Sequence, residues 1–242
     1  MHARRLPIAT HVQSTVVALL GTAIFLGLAA AAAWTWVSWQ RNEINAGVCQ
    51  GRLKYLAQAL LNYHDDYGTL PPACIRSPDG QPMHSWRVLI LPYCERDDFY
   101  RRYDFSQPWN SPQNLALSES HPDIAKLFQC PSDPGTFHGW TSYVAIVGKG
   151  TLWQQDRRAS REELRAKPRR VLLAERQETG IHWMQPEDML AASANGDVST
   201  AGPHKLQCAF GDGSVGILSR GRLQRRGRSP QAEPPGQHRE GP

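Results

Sequence analysis

Glu175, Trp183, Glu187, Asp188 and His204 are the side chains in this 242-residue chain whose types could build a site. Acids beside an indole suit a sugar or peptide ligand, because the aromatic face covers apolar ligand surface. The catalytic version of such a site is a paired-carboxylate hydrolase, but no spacing here sets these acids apart from surface acids. The plainer role for Trp183 is to plug the core beside a sheet, as expected of Trp86, Trp109 and Trp140. Asp212 precedes Gly213, a pairing that tight-turn geometry explains by itself. Asp212 or Asp133 could offer oxygen to calcium, yet no dense acidic loop accompanies either. His64, Asp65 and Asp66 sit where a helix should end; capping and a solvent-facing position are expected there rather than metal ligation. No phosphate loop, G-x-S-x-G elbow, H-E-x-x-H or dinucleotide fingerprint occurs. The expectation is therefore no catalytic residue, no cofactor and no metal, with Glu175, Trp183, Asp188, His204 and Asp212 as candidate ligand contacts.

Cysteine chemistry is the second possibility. Cys49, Cys74, Cys94, Cys130 and Cys208 are widely spaced, with no C-x-x-C pair, which disfavours a zinc ribbon or a thioredoxin-type motif. An odd number allows at most two intrachain disulfides and leaves one thiol; buried free thiols are the alternative.

Elements able to position these residues follow from spacing. Cys49, Leu53, Leu56, Leu60, Tyr63 and Tyr67 form one apolar stripe at helical intervals, with Gln50, Lys54, Gln58, Asn62 and Asp65 off it. Gly68 is a natural C-cap and Pro71-Pro72 stops continuation. Residues 73–85 read as loop, and Trp86 to Leu91 as a buried strand or helical turn. Glu95 to Tyr103 reads as a charged helix, Ser111-Pro112 as an N-cap with Pro at the first position of a short helix through Leu117, and Pro122 to Phe128 as another helix. Thr141 to Val147, Arg170 to Glu175, and Leu206 to Phe210 have strand character. Asp212-Gly213 between Leu206–Phe210 and Ser214–Leu218 predicts a hairpin. Without regular βαβ repeats, antiparallel pairing is expected. Gln154 to Lys167 is charged and reads as surface helix or loop.

Between Arg5 and Arg41 there is no Asp, Glu, Lys or Arg, and Val16 to Val37 is almost wholly apolar. That length suits a bilayer crossing, which takes about 20 helical residues. Trp34, Trp36 and Trp39 gather at its far end, where indoles favour the headgroup zone. A cleaved signal peptide is the competing reading, with Ala29 to Ala33 as small residues for a peptidase. The anchor is preferred, because the helix runs on past the tryptophans. Arg4 and Arg5 argue for an inside N-terminus, although Arg41, Arg52 and Lys54 follow closely. The expected division is a cytoplasmic stub over residues 1–15, a span over 16–39, an extracytoplasmic domain over 40–219 and a disordered basic tail over 220–242. The net charge of +5 owes much to that tail, where arginines lack interleaved aromatics for base stacking. Lipid is thus an expected partner through Val16 to Val37, and nucleic acid is not.

Several motifs in fixed order carry a resemblance. Cys49 to Pro72 reads C-Q-G-R-L-K-Y-L-A-Q-A-L-L-N-Y-H-D-D-Y-G-T-L-P-P. H-S-W-R-V-L-I-L-P-Y covers His84 to Tyr93, and Y-D-F-S-Q-P-W-N-S-P-Q-N covers Tyr103 to Asn114. C-P-S-D covers Cys130 to Asp133, T-S-Y-V-A-I-V-G covers Thr141 to Gly148, I-H-W-M-Q-P-E-D covers Ile181 to Asp188, and D-G-S-V covers Asp212 to Val215. Together they resemble a pilin-like family, expanded in planctomycetes, that is catalogued as domain of unknown function 1559. The resemblance implies an α+β fold: a transmembrane helix continuing into a long helix packed on a small antiparallel sheet, with an elaborated loop region. It implies an envelope location and no established activity; labels in the family point to type II secretion or to extracellular solute binding. The chain departs from the family in two places. Gly21 and Gly27 lie inside the apolar run with no prepilin cleavage motif, and His204 is followed by Lys205, Leu206 and Gln207 instead of a glycine pair. The expected role is structural or interaction-based, through self-association or contact with other envelope proteins; a tethered solute- or glycan-binding module is the alternative.

Overall fold

The computed structural model describes residues 8–134, 139–154, 157–191 and 206–218. Helix α1 runs unbroken from Ile8 to Tyr67. At 1.5 Å per residue its 60 residues extend about 90 Å. Two segments of different exposure share this rod. From Leu19 to Trp39 its large apolar side chains, among them Phe25, Leu26 and Trp34, are exposed. From Cys49 onward one face is buried: Cys49, Leu53, Leu56 and Leu60 are at most 1% exposed. Gln50, Lys54, Gln58, Asn62 and Asp65 stay in solvent. The stripe ends earlier than its spacing predicts. Tyr67 is exposed, its ring tilted against that of half-buried Tyr63. Gly68 closes the helix at φ +74°, its N–H donating to the His64 carbonyl at 2.8 Å.

The body against which α1 packs is α+β. Its main sheet is antiparallel, ordered β3 (Tyr143–Val144), β5 (Val171–Glu175), β7 (Leu206–Phe210) and β8 (Val215–Leu218). Alternation along the strands splits the core. Tyr143, Leu173 and Ala209 join the large cluster with α1, while Val144, Ala174, Cys208 and Phe210 form a small cluster on the other face. The β7–β8 hairpin turns at Asp212-Gly213, with Gly213 at φ +75°.

Short helices build the loop region. They are α2 (Trp86–Leu89), a 3₁₀ turn over Leu91–Cys94, α3 (Asp97–Arg102), α4 (Pro112–Glu119), α5 (Pro122–Leu127) and α6 (Arg161–Ala166). Ser111 caps α4, accepting from the Asn114 N–H, with Pro112 at the first position.

Two features differ from expectation. Residues 73–85 are not all loop: β1 (Cys74–Arg76) and β2 (Pro82–Ser85) pair as a hairpin with an irregular register at Ile75/Arg76. Pairing is not wholly antiparallel either. The Thr141–Val147 stretch divides, and β4 (Ile146–Val147) runs parallel to β6 (Met189–Leu190). The divide is made at Ala145, whose N–H is taken by the Asp188 carboxylate instead of a strand.

Candidate functional site

Most motif residues prove to be structural joints. His84 is buried, with Nδ1 3.0 Å from the Tyr103 hydroxyl and Nε2 3.0 Å from the Phe105 carbonyl. Asn114, fully buried, accepts from the Asp104 N–H and donates to the Asp104 and Pro108 carbonyls, so it folds that loop upon itself. In the C-P-S-D segment, Cys130 is disulfide-bonded to Cys49, 81 residues away. Asp133 accepts from the Ser142 hydroxyl at 2.7 Å and from the Glu178 N–H at 3.0 Å. The disulfide therefore fastens α1 to the loop after α5 at the point where the helix enters the body, and Arg52 on the next turn donates to the Gln129 carbonyl. Cys74, Cys94 and Cys208 are free thiols, Cys94 and Cys208 being buried.

The five candidate ligand contacts do not converge among the described residues. Trp183 lies in the core, stacked on Phe128, with its indole N–H on the Ser118 hydroxyl at 2.9 Å. Asp212 sits in the hairpin turn, where burial raises its carboxyl but hydrogen bonds from Ser214 and the charge of Arg169 win and hold it below the usual range. Glu175 lies at the end of β5, beside the disulfide. His204 falls outside the described residues, as does the basic tail. Asp188 is buried. Of the helix-end trio, Asp65 and Asp66 are exposed, but His64 is only 2% exposed, contrary to the solvent-facing position expected. Trp86 plugs the core as expected, whereas Trp109 and Trp140 are half-buried.

Asp188 belongs to a node that sequence reading missed. Its carboxylate meets the Arg87 guanidinium at 2.6 Å and also accepts from the Trp86 indole N–H and the Ala145 N–H. Arg87 in turn donates to the carbonyls of Tyr143, Gln185 and Glu187 and to the Ser85 hydroxyl. Burial raises Asp188 and lowers Arg87, each opposed by its partner's charge and by the hydrogen bond between them.

A second cluster surrounds Glu175. A carboxylate oxygen of Glu175 and the Sγ atoms of Cys49 and Cys130 lie within 4.8 Å of one another. Glu175 Oε2 is buried with no hydrogen-bond partner, and burial, reinforced by the charge of Asp133, pushes this carboxyl up to about 7. Two thiolates and a carboxylate would suit zinc, but the disulfide removes both thiolates as ligands.

Asp188 of this node also lines a groove of about 630 Å³. That is the size of a small-ligand site. Its lining takes Cys74, Ile75 and Arg76 from β1, Arg157 and Arg158 from the stretch before α6, and Leu190 from β6. Arg157 is paired with Glu163 at 2.7 Å. Glu187, also on the lining, accepts from the Gln185 amide at 2.6 Å. The arginines were readable only as part of a charged surface segment, because nothing in their spacing joins Arg76 to a segment 81 residues further on.

No curated protein and no solved structure matches the chain. A family profile does, described as a protein of unknown function (DUF1559), over residues 48–179, a little more than half of the 242. That match takes in both halves of the disulfide, the buried face of α1, the His84 and Asn114 joints and β5. On that extent of agreement the chain belongs to the DUF1559 family.

Proposed function

We propose that this protein is a membrane-anchored component of the cell envelope with a structural or interaction role and no catalytic one. The observation that carries the reading is the contrast in exposure along α1. Its Leu19–Trp39 part has an exposed apolar exterior outside the core of the described residues, whereas its Cys49–Leu60 part is packed into the body. An exposed apolar surface of that length requires lipid or other helices around it. Among the described residues this is one helix long and apolar enough to cross a membrane. The Cys49–Cys130 disulfide favours a body on the oxidising side of that membrane, with the N-terminus inside. The pilin-like arrangement suggests lateral contact between copies, and Ile44, Val48 and Tyr55 remain exposed at helical spacing on the stretch just past the tryptophans. Cross-linking of intact cells followed by mass spectrometry tests this: self-linked ladders that retain the apolar segment support it, and monomer alone contradicts it.

The groove favours a second reading, a tethered module that binds a solute. Ligand-induced thermal stabilisation of a monomeric protein would support this reading over the first.

A further inference from the structure

We propose that the groove between β1 and the Arg157–Arg158 stretch binds a small organic oxyanion, a carboxylate or phosphate ester with an apolar portion. This rests on the binding-module reading and names its ligand class.

Arg76, Arg157 and Arg158, from two segments distant in sequence, line one cavity. They differ in what already holds them. Arg157 is fixed by Glu163, and Arg76 donates to the Gly80 carbonyl at 2.9 Å, leaving donors on its planar fork. The exposed Arg158 guanidinium has no hydrogen bond or ion pair among the described residues. The carboxylates on the lining are already committed. Asp188 is saturated by Arg87, Trp86 and Ala145, and Glu187 is engaged by Gln185. Arg76 and Arg158 therefore bring spare donors to the lining, as bidentate oxyanion recognition requires.

The rest of the lining sets the ligand's other features. Pro72, Ile75, Val147 and Leu190 supply apolar surface, and Leu190 is 73% exposed, an uncovered hydrophobic side chain at the edge of the site. No described lining residue is aromatic, so the stacking platform that a neutral sugar prefers is absent from it. Cys74 reports on the same space. It is the one described free cysteine that is not buried, and burial raises its thiol while the charge of Arg76 pulls it down.

The test uses the full chain in phosphatidylcholine nanodiscs, where no anionic headgroup competes. Labelling of Cys74 by a neutral maleimide is followed by mass spectrometry at constant ionic strength, with citrate, glycerol phosphate or maltose as the added probe. Citrate or glycerol phosphate should slow labelling at least fivefold, maltose should not, and the R76Q/R158Q variant should need at least tenfold more anion for the same protection. Both arginines are exposed, and an unchanged melting temperature of the unliganded variant shows that its fold is intact. Failure of both anions overturns the oxyanion inference, as does equal protection in the variant. If maltose protects and the anions do not, the inference falls while the binding-module reading stands. If no probe protects Cys74 or stabilises the protein, both fall. Protection by phosphatidylglycerol nanodiscs without any solute would make the groove a headgroup site and overturn the free-solute assignment.

Discussion

Arg87 and Asp188, 101 residues apart, meet at 2.6 Å with both side chains nearly closed to water. Around this contact the 185–188 turn, the end of β2 and the start of β3 and β4 are held together, since Arg87 and Asp188 between them bond Ser85, Trp86, Tyr143, Ala145, Gln185 and Glu187. A buried pair adds little net stability relative to an apolar replacement, but removing one member strands the other charge. Asp188→Ala should lower unfolding free energy by about 3–5 kcal/mol in chemical denaturation. The double variant Arg87→Leu/Asp188→Ala should lose less than the two single losses combined. A loss below 1 kcal/mol for Asp188→Ala would show that the node holds nothing together.

Glu175 gives a pH signature of defined sign. Its carboxyl is raised to about 7 in the folded chain, so the folded state binds the extra proton between the ordinary carboxylate range and neutrality. Stability from this group is greatest at low pH and falls as pH rises through 7. His84 and His182, both held below their ordinary value by burial, act oppositely in the window beneath 6.5, so the difference between proteins is the readout. Glu175→Gln should gain about 1–3 kcal/mol over wild type between pH 5 and pH 8, an amount discounted for partial exposure. Parallel pH–stability curves for the two proteins would contradict this.

The Cys49–Cys130 disulfide closes a long loop and ties α1 to the body. Cys49→Ser/Cys130→Ser should cost about 2–5 kcal/mol, measured by urea unfolding with the wild type kept oxidised. Cys94→Ser should leave oxidation of the pair unchanged, because Cys94 is a free thiol.

Contact between copies has a specific face to test. Ile44, Val48 and Tyr55 are exposed on α1 away from Leu53, Leu56 and Leu60. Ile44→Asp/Val48→Asp should reduce self-cross-linking severalfold while leaving the melting temperature within a few degrees, since neither side chain supports the core. Unchanged ladders would place the contact elsewhere.

Sequence patterning made the helical parts legible because their signals are local. Leu53, Leu56 and Leu60 show one periodicity, Gly68 and Pro71 mark a stop, and Ser111-Pro112 and Asp212-Gly213 mark a cap and a turn. The β1–β2 hairpin was not legible: its strands are short, Pro82 opens one of them and the register slips at Ile75/Arg76, so no alternation survives. The cysteine pairing was hidden because five residues admit many partners and only the fold chooses Cys130 for Cys49. Asp188 stood out as a candidate, but its environment depends on Arg87, a residue that looked like part of a buried apolar run. The groove is the least legible feature, since the segments carrying Arg76 and Arg158 meet through tertiary contacts such as the Thr69–Ser160 bridge and the Leu70 N–H to Ala159 carbonyl bond.

Protease shaving of spheroplasts, with mass spectrometry of the carbonate-washed membranes, tests the anchored, outward-facing arrangement most directly. The account predicts that externally added protease removes peptides from the 49–191 body while the peptide spanning Val16 to Val37 stays in the membrane fraction. A body protected until the membrane is permeabilised, or a chain recovered soluble and lacking Val16 to Val37, would contradict it.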